Sequence, residues 1–500
     1  MEKKKVIIIG GGVSGIATGT YLQMNGYNTV VLEKNAIAGG ACIGWERKGC
    51  YIDGCIHWLS GTKPTSATYK LWNDVGALSP DVEIFEQDDY SVIDYEDGKK
   101  LTIWSDLEKL RKELLAFAPE DEKQINKFCK LVKRFERIDA PVNKPVDLMN
   151  LFDLLKIGFT MAGDYVHLTR TSKLTCGDYA KKFKNPYIRR WITDQMVAGY
   201  NFMSLVYMLS RLTAKNGGIP IGGSKQLVDR MIDKYLSLGG ELKCATEVES
   251  VNVLDGIATG VTLKNGQIID ADWIVSTSPA EYTLKTLLQD KYRLKAIHMR
   301  LRNRKVYPIY TFTTAVFKVN ADLSNAPLSH KIHFKNPIVL NEKHFSASFR
   351  NYSYDKTLKR PEGHTVVEAT LGGDDVMYYW WKKVKENGTY KEKKQEIANL
   401  LKEVYLERYP ELEGKIDIID VITPMTYERY LYGRHGSFQG FVETHKGKSL
   451  MSSGKIKGLK NFFLSGQWVL RTGGLPPAVI TAKFVTQRIC KKDKIKFKTV

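Results

Sequence analysis

The chain opens with a glycine-rich turn between an apolar strand and a helix. Residues 6–9 are all Val or Ile, and Gly10, Gly12 and Gly15 follow in a G-x-G-x-x-G pattern. The first glycine permits the tight turn, the second lets the backbone approach a pyrophosphate, and the third lets the helix lie close to the strand. A second apolar strand ends at Glu33, which is suited to accept hydrogen bonds from an adenosine ribose. The order of elements predicts a Rossmann-like dinucleotide site, with the helix N-terminus at Val13 and Ser14 facing the phosphates.

The residues after the acidic strand indicate which dinucleotide binds. A NAD domain would continue with alternating strands and helices, whereas here Lys34, the pair Gly39-Gly40 and the stretch Gly49-Cys50-Tyr51-Ile52-Asp53-Gly54 follow. This region resembles the FAD-binding start of the flavin oxidoreductases that include amine oxidases, phytoene desaturases, carotenoid isomerases and retinol saturases. The resemblance implies non-covalent FAD, with Gly39, Gly40 and Ala41 along its phosphates and ribityl chain. Many members carry Arg after the glycine pair, where this chain has Ala41-Cys42.

Two later segments carry the same resemblance. The first leads through Val248 into a hairpin with the turn Asn265-Gly266, a strong two-residue turn signal, and the family residue matching Val248 contacts adenine through its backbone. The second contains a strand ending at Gly466, then Gln467, then a helix opening at Gly474-Leu475-Pro476. The resemblance implies that this helix points its N-terminus at the flavin ring, where its dipole favours negative charge. Gln467 stands where an acidic residue usually bonds the ribityl hydroxyls.

The matching segments are far apart in the sequence, which predicts a discontinuous domain. We expect an α/β fold in which residues 1–75, 216–285 and 440–490 form a Rossmann-like FAD-binding domain. Residues 80–215 and 286–439 would form an α+β substrate domain containing a mixed sheet, and residues 491–500 a basic tail. The pattern is mainly helical over 80–215 and strand-rich over 305–440.

The charge of the chain is strongly basic. The 500 residues include 75 Lys and Arg against 55 Asp and Glu, a net charge of +20. No recognised nucleic-acid module accompanies this charge, so we expect no nucleic-acid partner. An anionic membrane surface is an alternative partner, because the helix pattern at 148–162 has an apolar stripe and residues 491–498 alternate basic and apolar side chains. Packing of that stripe on the core is the competing interpretation.

The sequence gives no sign of secretion or of a membrane span. The first five residues lead directly into a core strand, unlike a signal peptide, and no apolar run reaches the ~18 residues of a spanning helix. We therefore expect a cytoplasmic protein, with peripheral membrane contact left open.

The seven cysteines are scattered, with no C-x-x-C pair. This spacing predicts neither a metal site nor a disulfide framework. Cys42, Cys50 and Cys55 fall where the chain should pass the flavin. We expect these three cysteines to be small, buried apolar residues. The alternative is a cysteine that is redox-active or covalently linked to the flavin.

Candidate catalytic and substrate residues are few, because the cofactor carries most of the chemistry in flavoenzymes. His57 falls in the flavin-facing loop, and its neighbours Ile56 and Trp58 would desolvate it and keep it neutral; a satisfied core histidine is the competing interpretation. The candidates for lining the substrate site are Tyr378, Trp380, Tyr427 and Tyr430. The last two belong to a T-P-x-T-x-E-x-Y stretch that resembles the desaturase–isomerase–saturase branch.

The resemblance implies an FAD-dependent oxidoreductase that acts on carbon–carbon double bonds. Its substrate would be a carotenoid, isoprenoid or unsaturated lipid, and the reaction desaturation, saturation or cis–trans isomerisation. The alternatives are a flavin-dependent amine or amino-acid oxidase and a protein whose FAD is structural. No second G-x-G-x-x-G opens a helix after a strand, so a diffusible electron donor or acceptor is expected unless the reaction has no net redox change. We also expect the cavity walls built from 305–440 to be aliphatic and aromatic.

Overall fold

A five-stranded parallel sheet forms the first layer of the fold. The computed structural model describes residues 3–138, 142–196, 198–442, 444, 446–447, 452–470 and 473–499, apart from the side chains of 156, 157 and 159–166. In the order β19-β13-β1-β2-β9, the strands are Phe462–Leu464 (β19), Trp273–Ser276 (β13), Lys5–Ile9 (β1), Asn28–Leu32 (β2) and Glu241–Lys243 (β9). They come from the segments 1–75, 216–285 and 440–490. The nearly continuous apolar runs of β19, β13, β1 and β2 reflect burial on both faces, as is usual in parallel sheets, whereas β9 is a largely exposed edge strand.

A seven-stranded mixed sheet forms the second layer. In the order β18-β14-β17-β16-β15-β6-β7, its strands are Ile416–Ile422 (β18), Thr311–Val319 (β14), Thr365–Gly373 (β17), Lys343–Asn351 (β16), Ser329–Val339 (β15), Asp89–Asp94 (β6) and Lys100–Trp104 (β7). The contact between β15 and β6 is parallel, and the other neighbouring pairs are antiparallel. The predicted α/β fold with a mixed sheet is confirmed.

Short strands and fifteen α-helices of the described chain complete the fold. The remaining strands are Gly44–Arg47 (β3), Cys50–Asp53 (β4), Ile84–Phe85 (β5), Ile219–Pro220 (β8), Val248–Leu254 (β10), Ile257–Leu263 (β11) and Ile268–Asp270 (β12). The helices are Val13–Met24 (α1), Ala67–Asp74 (α2), Leu107–Phe117 (α3), Glu122–Phe135 (α4), Leu151–Ser172 (α5), Cys176–Ala180 (α6), Pro186–Gln195 (α7), Phe202–Thr213 (α8), Gly223–Ser237 (α9), Ala280–Tyr282 (α10), Lys295–Arg302 (α11), Asp375–Glu386 (α12), Tyr390–Leu406 (α13), Pro424–Leu431 (α14) and Leu475–Lys492 (α15).

One stretch of the segment predicted to be mainly helical is a β-hairpin. β6 and β7 pair with each other and join the seven-stranded sheet through β15. Their turn contains Gly98 at φ 88°, so the Asp97-Gly98 dipeptide was the available hairpin signal. The helical patterns that follow this hairpin in the sequence are longer, and they led to the prediction of a mainly helical segment.

The two faces of the seven-stranded sheet differ sharply. Alternate side chains point to opposite faces of a strand, and the apolar set, including Phe317, Phe349 and Leu371, packs against α12 and α13 in one buried cluster. The intervening residues, including Thr314 and Thr370, line a cavity on the other face. One face of the sheet therefore packs its apolar side chains against the outer helices α12 and α13.

The basic tail is docked on the protein. Phe497 packs on Tyr21 with ring centroids 6.2 Å apart, and the Lys498 backbone N–H donates to the Asn25 side chain at 2.9 Å. Phe497 thus serves packing, whereas Ile495 is 39% exposed.

Candidate active site

A cavity of about 1470 Å³ runs between the two sheets. One end, called here the cofactor end, is lined by the glycine turn after β1, the segment 39–41 and the start of α15. The other end, called the substrate end, is lined by the seven-stranded sheet and by α8.

The glycine turn has the geometry of a phosphate cradle. Gly10 has φ 103°, and a Cβ on Gly15 would lie 1.9 Å from the Gly10 carbonyl oxygen, so both positions require glycine for the protein's own packing. Gly12 differs, because its φ of −75° suits any residue and a Cβ would meet no protein atom closer than 3.7 Å. A side chain there would instead occupy the cavity, where the pyrophosphate is expected, alongside Val13 and Ser14.

The second glycine pair completes the floor of this end. The Gly39 N–H donates to the Gly11 carbonyl at 2.8 Å, and Gly12 and Gly39 form a parallel bridge. Gly40 has φ 65°, and Ala41 lines the cavity beside it. Backbone therefore faces the cofactor on both sides of the turn.

Glu33 is buried at the end of β2 and lines the cavity. Its carboxylate accepts the Gly11 N–H at 2.7 Å and both the backbone and side-chain N–H groups of Asn35 at 2.8 Å. These bonds fix the carboxylate at the turn, and its remaining lone pairs suit the ribose hydroxyls.

Aromatic rings surround the adenosine side of this end. The Lys34 ammonium lies 3.5 Å from the centroid of the Tyr432 ring, which stacks on Tyr282 at 4.4 Å. Burial lowers the pKa of Lys34 and raises the pKa of Tyr282 to about 12. Val248 lines the cavity at the start of β10. Sequence reasoning missed Tyr432 and Tyr282, because no motif links two residues so far apart in the chain.

The start of α15 closes the cofactor end. The Gly466 N–H donates to Thr481 Oγ1 at 2.9 Å, and Leu475 and Pro476 in the first helical turn line the cavity. The Gln467 amide oxygen accepts the Gly474 N–H at 2.9 Å, and its NH₂ group donates to the Phe438 carbonyl at 3.1 Å. Gln467 therefore fixes the helix start, in addition to facing the cavity.

The sheet wall of the substrate end is mixed, whereas the sequence-based expectation was an aliphatic and aromatic wall. Its polar residues, called here the polar wall, are Thr314, Ser329, Lys331, Ser346, Ser348, Arg350, Glu368 and Thr370. Phe312, Phe345 and Ile422 also line the cavity. The expectation holds only in part, because most apolar side chains of these strands pack under α12 and α13.

Arg350 and Glu368 are opposite each other on β16 and β17. Arg350 donates to the His57 carbonyl at 2.9 Å, and its buried Nε has no hydrogen-bond partner in the described chain. Glu368 Oε2 accepts the Tyr352 hydroxyl at 2.9 Å, while its Oε1 is buried without a partner there. Buried polar atoms without partners cost free energy, which a group in the cavity could recover.

His57 projects into the cavity from the loop after β4. Its side chain is 48% exposed, and its Nε2 lies 3.9 Å from Glu368 Oε2. The expected desolvation by its neighbours does not occur, because Ile56 is buried in the core beneath the loop while His57 faces the open space.

The wall opposite the sheet is mainly apolar. It presents Met203, Tyr207 and Met208 of α8, together with Trp58 and Met196, and the polar residues Ser204 and Gln195 also line it. Tyr427 also lines the cavity, and burial raises its pKa.

The other three aromatic candidates lie elsewhere. Tyr430 lines the cofactor end, where its carbonyl accepts from Asn35 at 3.1 Å. Tyr378 and Trp380 are on α12, outside the cavity lining, and Tyr378 donates to Glu428 at 2.6 Å. The structure therefore places Tyr378 and Trp380 away from the cavity, because α12 covers the outer face of the sheet.

The sequence matches the family described as "Flavin containing amine oxidoreductase" over residues 13–490. The chain is 27% identical to a neurosporene-forming phytoene desaturase of Rhodobacter capsulatus, over 60% of this chain and 57% of the relative. It is 23% identical to a lycopene-forming phytoene desaturase of a Paracoccus species over 97% of both chains. It is also 23% identical to a chloroplastic prolycopene isomerase of Daucus carota, over 86% of this chain and 71% of that relative.

A solved structure shares the fold. A triple mutant of putrescine oxidase with redesigned cofactor binding superposes with a TM-score of 0.60, at 13% identity, over 98% of this chain and 99% of that one. The glycine cradle, the placed carboxylate of Glu33 and the helix start at Gly474 fit FAD, and the predicted cofactor is confirmed. The chain belongs to the flavin-containing amine oxidoreductase family and is an FAD-dependent oxidoreductase.

Proposed function

We propose that the protein acts on carbon–carbon double bonds of a long apolar substrate, such as a carotenoid, another isoprenoid or an unsaturated lipid. The observation that carries this proposal is the methionine- and aromatic-lined wall beyond the cofactor end, since flexible Met side chains adapt to an extended apolar chain. The desaturase and isomerase names of the relatives support it. The reaction is desaturation, saturation or cis–trans isomerisation.

The polar wall supplies groups that handle protons. Bound FAD would accept or return the electron pair of a C–H bond. His57 and Glu368 lie together at the cavity surface, and Tyr352 holds the Glu368 carboxylate in place. In this proposal they take or return the proton that leaves or enters at the reacting carbon, while the apolar wall excludes water.

An amine oxidase is the second candidate, and Glu368 is the observation that favours it. A carboxylate at the cavity wall would bind an ammonium group. Its cross-strand neighbour Arg350 opposes such binding, because a buried cation beside the site repels another.

The test uses the purified flavoprotein without air. The protein is mixed with a polyene in detergent, or with an amine, and the flavin absorption and products are followed. We expect a polyene product that differs by two hydrogens or by geometry alone, and no response to amines. Rapid bleaching by a simple amine, with no conversion of any polyene or unsaturated fatty acid, would favour the second candidate.

We also propose peripheral contact with an anionic membrane in the cytoplasm. Within the described ranges, no helix combines the length and apolar character needed to span a bilayer. At the start of α5, Leu151 and Phe152 are each 73% exposed, with Leu154 and Leu155 about half-exposed beside them. The same helix reaches the cavity through Leu168, which would connect a lipid surface to the substrate end. The side chain of Phe159, which the sequence pattern placed in this stripe, lies outside the described residues.

A diffusible electron donor or acceptor completes the proposal for any reaction with net redox change. The sequence has no second dinucleotide motif of the kind that binds NAD(P)H, so we infer that the partner is a separate molecule.

A further inference from the structure

Two cysteines meet across the end of the β3–β4 hairpin. Gly44 pairs with Asp53 in that hairpin, and the ladder continues one step further, because the Gly54 N–H donates to the Ile43 carbonyl at 2.8 Å. The next residues outward in the same register are Cys42 and Cys55, which places their side chains beside each other. Sequence spacing alone did not reveal this pair, because twelve residues and a hairpin separate its members.

The register suits a disulfide. In an antiparallel ladder, the pair next to a hydrogen-bonded pair has its Cα atoms about 4.5 Å apart and its side chains close. A disulfide joins residues whose Cα atoms are about 4.4–6.8 Å apart. The two sulfurs can therefore bond with little movement of the backbone.

The pair also lies in the right place for redox chemistry. Cys42 and Cys55 both line the cavity, whereas the other five cysteines do not. Cys42 is buried and donates weakly to the Ser224 carbonyl at 3.5 Å, while Cys55 is partly exposed. Cys55 is thus the accessible sulfur, and Cys42 is the partner held behind it.

We propose that Cys42 and Cys55 are a dithiol–disulfide couple that exchanges electrons with FAD. When the couple is oxidised, both S–H bonds break, the S–S bond forms, and two electrons and two protons pass to oxidised FAD. A small dithiol in solution then restores the two thiols by exchange and is itself oxidised to a disulfide. The inference rests on the FAD site and not on the proposed double-bond substrate.

The environment of Cys42 sets the pH dependence of this exchange. The adjacent Cys55 thiol and, next, burial raise the pKa of Cys42. The thiolate is the reactive form, so electron transfer should accelerate as the pH rises. The titratable groups that face the pair are Asp53, whose carboxylate accepts the Cys55 N–H at 3.0 Å, Tyr51 near Cys42 and Tyr427 near Cys55. The Ser224 carbonyl also contacts Cys42.

The first experiment maps the bond in the wild-type holoprotein. The protein is treated with the thiol oxidant diamide, denatured, alkylated with N-ethylmaleimide and digested. We expect a linked peptide containing Cys42 and Cys55, which disappears after treatment with dithiothreitol. Free alkylation of both residues, or a bond to another cysteine instead, would overturn the proposal.

The second experiment follows anaerobic bleaching of bound FAD by dithiothreitol. Wild type and Cys244→Ser, which changes a partly exposed thiol outside the cavity, should bleach alike. Cys42→Ser and Cys55→Ser should bleach at least tenfold more slowly, and alkylation of Cys55 in the Cys244→Ser protein should have the same effect without altering the pair by mutation. Bleaching at the wild-type rate after that alkylation would show that the pair is not an electron route. No polyene enters either assay, so failure of the proposed substrate would leave these outcomes unchanged.

Discussion

The two ends of the cavity are built by different means. At the cofactor end, backbone faces the cavity at Gly12, Gly39 and Gly40, and few side chains decide what fits. At the substrate end, the surface is made by side chains from β14 to β17 and from α8. A site built from backbone requires particular residue types at fixed spacings in the sequence. A site built from side chains depends instead on which face of each strand turns toward the cavity.

The largest effect should come from filling the backbone-built end. Gly12→Val would place its side chain into the cavity without disturbing the protein's own packing, since a Cβ meets nothing closer than 3.7 Å. An overpacked contact with FAD costs about 3 kcal/mol, on the order of a 100-fold loss of affinity. The FAD content of the purified protein, measured by absorption, should fall accordingly.

Gly158→Val is the matched control for that change. Gly158 also has open space around it and an ordinary φ, but it lies on α5 outside the cavity lining. It should keep one FAD per chain. Full retention of FAD by Gly12→Val would mean that the pyrophosphate lies elsewhere.

This contrast explains what the sequence could and could not predict. Each of the cofactor residues that the motifs identified lines the cavity, except Gly15, which packs beneath the turn. The polar part of the sheet wall was not predicted, because strands such as β17 have apolar residues such as Val367 and Leu371 on one face and Glu368 and Thr370 on the other. Only the packing of α12 and α13 decides which face becomes core.

The second prediction changes one residue of the polar wall and leaves the cofactor end unchanged. Glu368→Gln keeps the acceptor for Tyr352 but cannot take up a proton. If Glu368 serves as the proton-handling group, turnover of a polyene should fall on the order of 100-fold, as for removal of a general acid or base. FAD content should not change.

Glu342→Gln is the control for the second prediction, because Glu342 lines the same cavity at its exposed rim. It should leave turnover unchanged. Equal turnover in Glu368→Gln and wild type would remove Glu368 from the chemistry and leave the wall with a purely structural role.

The third prediction tests whether the apolar side of the substrate end reaches a membrane. Phe152→Ser removes a side chain that is 73% exposed, and burial of such a ring in lipid contributes about 1.5–3 kcal/mol. Binding to anionic vesicles in a sedimentation assay should weaken about 10- to 150-fold, and salt should weaken the wild-type binding through screening.

Leu254→Ser provides the comparison, because Leu254 is 67% exposed on β10, away from α5. Its vesicle binding should equal that of wild type. If Phe152→Ser and Leu254→Ser bind equally well, the start of α5 is not the membrane contact.

The smallest effect concerns His333, which lies on β15 beyond the polar wall. The ring is 1% exposed, stacks on Tyr95 at 5.0 Å and lies 3.6 Å from Asp194. Burial, then Arg190 and Lys331, lower its pKa to about 3, against a small opposing effect of Glu96.

The sign of the pH effect follows from this shift. The unfolded chain takes up a proton on this histidine near pH ~6.5, whereas the folded protein resists protonation until about pH 3. Between these values the unfolded state binds more protons, so the contribution to the free energy of unfolding is full above pH ~6.5 and is lost as the pH falls, by at most about 1.4 kcal/mol per pH unit. His333→Phe keeps the aromatic stacking and removes the titration. Urea unfolding measured from pH 7 down to pH 4 should show a shallower acid slope in the variant than in wild type, by up to one proton. Equal slopes would mean that His333 is protonated in the folded protein as readily as in the unfolded chain. Water would then reach this end of the wall more than the burial of His333 indicates.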